Sequence, residues 1–146
     1  MWSDLQTMRM TYQEIVQGER PWNALGDFMN YWFSYATEQR EALVQEPLQV
    51  PSEVTDEQHQ WAAFCAASVE YLCDRYEVDC PAWTQNPSYT LAEPWYKGIG
   101  AHKPQVQLRL KQETPEMFTR RNIFCGTRMF ANKYEMATEV REKISA

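Results

Sequence analysis

Several of the features that would announce an activity are missing from this sequence. Its five glycines form no phosphate-cradling loop, and it has neither a G-x-S-x-G turn nor an H-E-x-x-H pair, which removes the signatures of phosphate loops, serine hydrolases and zinc proteases. His59 and His102 have no partner at ligand spacing, and Cys65, Cys73, Cys80 and Cys125 form no C-x-x-C pair, so neither a metal nor a cofactor is expected. No apolar run approaches the roughly 18 residues that span a bilayer. The opening "MWSDLQTMRMTYQEI" also lacks the basic-then-apolar layout of a secretory signal, and the expectation is a soluble, cytoplasmic protein that avoids the membrane. No residue is assigned a catalytic role.

What the chain has instead is aromatic bulk and a divided charge. Aromatics make up 14% of its 146 residues, with six Trp and eight Tyr, more than a disordered chain could use. One domain is the default at this length. Residues 1–80 carry four Lys/Arg against fourteen Asp/Glu, a net of 4 − 14 = −10, whereas residues 81–146 carry ten against six, a net of 10 − 6 = +4. Between Lys97 and Lys133, eight basic side chains face only Glu113 and Glu116. The two halves either complement each other within one fold or offer a patch to an acidic partner.

Helical periodicity dominates the first half. In "TDEQHQWAAFCAASVEYLCDRYEV", Trp61, Phe64, Cys65, Ser68, Val69, Leu72, Cys73 and Tyr76 share one helix face, flanked by Ala62, Ala63, Ala66 and Ala67. Thr55 and Gln58 make a capping box, so a central helix is predicted over about 56–77. Cys65 and Cys73 then lie eight residues apart on it, about 12 Å at ~1.5 Å per residue, too far for a disulfide; reduced, mostly buried thiols are expected. Upstream, a short helix over about 11–17 ends at Gly18. A longer one from Trp22 to Ala36 is apolar on two faces, as in a deeply buried helix or one shared with a partner. Thr37 can cap a continuation through Val44 that Pro47 stops. The helix-turn-helix spacing over 11–35 is not read as DNA-binding, because "NALGDFMNYWFSY" has no basic residue and carries Asp27.

The chain changes character at "CPAWTQNPSYTLAEPWYKGIGAHKP", with four prolines and the rings of Trp83, Tyr89, Trp95 and Tyr96. So long an irregular stretch is uncommon in a compact domain; its rings either pin the loop to the helices or contact a partner. Val106, Leu108 and Leu110 alternate as in a strand, but no second strand is evident, so a short helix or extended edge is preferred. Thr114 as N-cap with Pro115 in the first turn predicts a helix from Pro115 to Cys125, stopped by Gly126, and a last helix is predicted from Arg128 to about Ile144.

The stretch "FTRRNIFCGTRMF" poses the sharpest question, because its arginines are threaded through core-like residues. Either their stems lie on the core and their heads pair with an acidic stripe such as Glu70, Asp74 and Glu77, or Arg120, Arg121, Asn122, Arg128 and Lys133 form a recognition patch for phosphate or an acidic protein surface. The same stripe is the only candidate for enzymatic acid chemistry, and a solvated or salt-bridged face is its ordinary reading. If the partner is a nucleic acid, those basic residues would touch phosphates while Trp95 or Tyr96 stacks on an unpaired base.

The phrases "PWNALGDFMNYWF", "WAAFCAASVEYLC", "CPAWTQNPSYTLAEPWY" and "FTRRNIFCGTRMFANKYE" resemble those of a group of small bacterial proteins of unassigned activity, over about Tyr12 to Glu135. Members of that group can sit beside nucleotidyltransferase-like or other toxin-antitoxin genes. The resemblance implies an antitoxin-like, regulatory role that holds a protein partner, a toxin-like protein, and it brings no catalytic signature. The expected architecture is an all-α single compact domain of five or six helices with a long, ordered, aromatic and proline-rich loop at about 80–104.

Overall fold

The computed structural model describes residues 5–127; the last predicted helix, with Arg128 and Lys133, lies outside the described residues. Among the described residues the domain is all-α apart from one minimal strand pair. Its helices are α1 (Met8–Val16), α2 (Pro21–Asn30), α3 (Arg40–Val44), α4 (Asp56–Arg75), α5 (Pro104–Glu113) and α6 (Glu116–Thr119), and its strands are β1 (Trp95–Tyr96) and β2 (Ile123–Phe124). Among the described residues no helix is long and apolar enough to cross a membrane.

The predicted central helix forms, and it starts where its sequence says. Thr55 accepts from the Gln58 backbone N–H while the Gln58 side chain accepts from Thr55 N, so both arms of the capping box are made. Every residue from Trp61 to Val69 is buried, the alanine flanks included. Small side chains let α1, α6 and the loop after α4 approach the helix from different sides, so α4 is the spine of the core rather than one wall of it. Tyr12 of α1 reaches its N-terminal turn, donating to Gln58 O at 2.8 Å.

The two-faced aromatic helix is real but changes pitch. After Asn30 the backbone widens into a π turn over Tyr31–Tyr35, in which Ala36 N donates to Tyr31 O at 2.8 Å. That diverts the donor an α-helix would give to Trp32 O, and Arg40 Nε fills the place at 2.9 Å. The Arg40 guanidinium lies 5.0 Å from the rings of both Trp32 and Tyr76. Phe28 and Trp32 are buried and Tyr31 packs against the core, so both apolar faces are largely covered; Trp22 at one end, 47% exposed, and Tyr35 at the other, 70% exposed, are the rings left to solvent among the described residues.

Two expectations in the second half are corrected. The predicted Pro115 to Cys125 helix stops after Thr119: Arg121 N and Asn122 N close on Phe118 O and Thr119 O, Asn122 turns left-handed with φ 67°, and the chain runs on as β2. Thr114 is not its N-cap. The Thr114 hydroxyl donates back to Leu110 O at 2.6 Å, ending α5, and accepts from Gly126 N at 2.7 Å. The alternating "QVQLRLKQE" is helical, as α5, with Leu110 buried and Leu108 exposed.

The aromatic loop is ordered by pairing that local sequence does not announce. β1 and β2 run parallel, with Trp95 opposite Ile123 and Tyr96 opposite Phe124. Leu91 N donates to Arg121 O and Leu91 O accepts from Asn122 Nδ2 at 2.7 Å before the pairing, and Lys97 N donates to Phe124 O at 2.9 Å after it, so the loop is fastened to the 121–124 segment at both ends. All four cysteines are free; Cys65 and Cys73 are buried, Cys125 is half-buried and Cys80 is exposed.

Candidate functional site

The C-terminal half of α4 carries the acidic stripe toward the arginines of the 118–130 stretch, and the two meet at Glu70. Arg121, with its side chain 4% exposed, donates from Nη1 to Glu70 Oε1 at 2.8 Å and to Met117 O at 2.6 Å, and from Nη2 to Thr84 O at 2.6 Å. One guanidinium thus ties α4, α6 and the turn at Ala82–Gln85, the planar fork doing what a lysine could not. Arg120 approaches the same carboxylate oxygen from the solvent side, and its Nη2 also lies 3.5 Å from Gln85 Oε1. Burial alone would raise the Glu70 pKa, but the hydrogen bonds and charges of Arg120 and Arg121 outweigh it and hold the carboxyl below its ordinary value.

The stripe then separates. α4 ends with Glu77 in the left-handed region at φ 58° and Val78 N donating to Cys73 O at 2.9 Å, a Schellman closure that turns the chain back across its own last turn. This folds Asp79 and Cys80 beside Glu70, Cys73, Asp74 and Glu77, and the six side chains line a cleft of about 520 Å³. Among the described residues Asp74, Glu77 and Asp79 make no ion pair, and they share the cleft with Glu70, which Arg120 and Arg121 engage. Burial pushes the Cys73 thiol up to about 12, aided by the neighbouring Cys80 and the carboxylates, which makes it a poor nucleophile. Among the described residues no group of His, Cys, Asp and Glu has the geometry to hold a metal ion.

The residues proposed from sequence are distributed rather than assembled. Arg121 is sealed in the core, Arg120 is 40% exposed and ion-paired, and Asn122 turns inward to Leu91; Arg128 and Lys133 lie outside the described residues. Of the loop rings, Trp83 donates from Nε1 to Val44 O at 2.9 Å and meets Tyr89 edge to face, and Tyr89 is buried. Trp95 packs against Trp61 and Phe64, and Tyr96 stacks on Phe124 at 5.0 Å. The rings pin the loop to the helices.

Sequence reasoning missed Lys97. Its Nζ lies 4.4 Å from the Trp95 ring centroid, 4.5 Å from that of Trp61 and 5.8 Å from that of Trp22. Burial lowers the Lys97 pKa below the ordinary lysine value. A signal existed: Trp95 and Lys97 are two apart in an extended segment, which places both on one side of it. Comparison with protein-family models, with curated proteins and with solved structures finds no match to this chain.

Proposed function

We propose that the protein is a regulatory interaction module that takes a basic protein segment into the acidic cleft at the end of α4. The observation that carries this reading is the trio Asp74, Glu77 and Asp79, which line an open cleft and make no ion pair among the described residues. Unpaired carboxylates around a concave surface attract lysine or arginine side chains and speed their encounter. The partner surface expected from the sequence around Arg120 and Arg121 supports this role less directly, since both guanidinium groups are already engaged by Glu70. A toxin-like protein as that partner, in a bacterial two-protein system, rests on the sequence resemblance.

The test is capture from the native host by the tagged protein, wild type against an Asp74→Asn, Glu77→Gln, Asp79→Asn triple variant, with and without nuclease. A stoichiometric basic protein that survives nuclease and is lost in the folded variant is the expected outcome. Capture that ignores the three substitutions overturns the cleft as the interface. Recovery of nucleic acid alone, with affinity falling steeply as salt rises, would instead favour phosphate contacts through the basic half.

A further inference from the structure

We propose that Trp22, Trp61 and Trp95 form a binding cage for a small quaternary ammonium ion, and that Lys97 is its resident, displaceable occupant. The three rings are set as walls: Trp22 and Trp61 meet at 90° with centroids 5.8 Å apart, and Trp61 and Trp95 at 87° and 5.2 Å. Such an arrangement turns more than one π face toward a single point, where a cation is held by the ring quadrupoles.

The lysine is an imperfect occupant. A primary ammonium carries three N–H donors, yet among the described residues Lys97 Nζ makes no hydrogen bond or ion pair; it lies against ring faces, with Cys125 and Glu57 close enough only to favour its charged form from a distance. The half-buried ammonium keeps some contact with solvent, and its burial against the rings still disfavours its charge. A quaternary ammonium has the same charge, no N–H to satisfy and methyl groups that fill the space between indoles, so it suits these walls better than the side chain that sits there.

The cage also has a door and a hinge. Trp61 is 6% exposed and forms the floor, whereas Trp22 is 47% exposed and forms the rim, so solvent reaches the site along one wall. Lys97 is attached to the sheet only by its backbone N–H, to Phe124 O at 2.9 Å, and is followed by Gly98 at φ 142°, Ile99 at 99% exposure and Gly100 at φ 72°. Rotation of the Lys97 side chain out of the cage therefore disturbs no packed residue on its C-terminal side.

The test is choline titration of wild type and Lys97→Ala, read by tryptophan fluorescence and calorimetry, with 3,3-dimethyl-1-butanol as the neutral isostere and potassium chloride at matched ionic strength. We expect saturable choline binding that is about tenfold tighter in Lys97→Ala, because the internal competitor is gone, and no response to the neutral isostere. Adding Trp22→Ala, at the exposed rim where folding is least at risk, should weaken that binding by about the same factor. A folded Lys97→Ala protein with no saturable response to choline or tetramethylammonium, or one that answers the isostere equally, overturns the proposal. So does binding to phosphatidylcholine vesicles without binding to free choline.

Discussion

Arg121 and Glu70, 51 residues apart in the chain, meet inside the protein with Nη1 2.8 Å from Oε1. Removing Arg121 leaves Glu70 with Arg120 alone and strips the carbonyls of Met117 and Thr84 of their 2.6 Å donors, and unsatisfied buried groups cost more than the bonds contribute. Arg121→Ala should therefore destabilise the fold by about 3 kcal/mol. Arg120→Ala, at the exposed side of the same carboxylate, should cost about 1 kcal/mol or less. Chemical denaturation of the two variants checks the order; equal losses would show that Arg121 is not the principal partner.

The same pair gives stability a defined pH dependence. The folded-state pKa of Glu70 is depressed, so its contribution is fully present above the ordinary glutamate pKa of about 4.3 and is lost as the pH falls through the lower folded value. Thermal midpoints of wild type should drop through that acid window more steeply than those of Glu70→Gln. Parallel curves would place the acid sensitivity elsewhere.

Asn122 separates conformation from hydrogen bonding. Its φ of 67° suits glycine, and its side chain donates to Leu91 O at 2.7 Å. Asn122→Gly keeps the first property and loses the second, whereas Asn122→Ala loses both. The alanine variant should be the less stable by about 1 kcal/mol, measured by denaturant midpoint at a common slope.

Native thiol titration should distinguish one cysteine from three. Burial raises the Cys65 thiol strongly and brings Cys73 and Cys125 to about 12, while Cys80 is exposed on the rim of the acidic cleft. Under native conditions one equivalent should react rapidly with a thiol reagent, and Cys80→Ser should abolish that phase. The remaining three should appear only on denaturation.

The capping box of α4 can be read by a double-mutant cycle. Thr55→Ala should cost about 1 kcal/mol. Gln58→Ala should cost less, and the pair together less than the sum, because each side chain satisfies the other's backbone donor.

What was legible in the sequence was whatever local physics decides. The apolar period from Trp61 to Cys73 and the Thr55 cap defined α4 almost to the residue, because burial and capping act within a few turns. The four-residue α6 was not legible: Pro115 promises a longer helix, and it is the distant Leu91, accepting from Asn122, that favours a turn there. The two-residue strands fell below any periodicity, since period two cannot be seen in two residues. At the candidate site, the pairing of the arginines with Glu70 was one of two readings open on sequence alone, while the cleft depends on the reversal at Glu77, a residue that rarely adopts φ 58°. The Lys97 cage draws its rings from three segments, and no spacing rule joins Trp22 to Trp61.

The parallel pairing of β1 with β2 bears on the order in which the protein can be completed. Trp95 waits for Ile123, 123 − 95 = 28 positions later, so a chain emerging from the ribosome carries the tryptophan-rich edge without its mate for on the order of a few seconds. During that interval Trp95, Tyr96 and the backbone donors that later reach Asn122 O and Phe124 O are open to any other extended chain. Nascent copies crowded on one message are thus most vulnerable to one another at this edge, and slow translation through the α5 codons would lengthen the exposure.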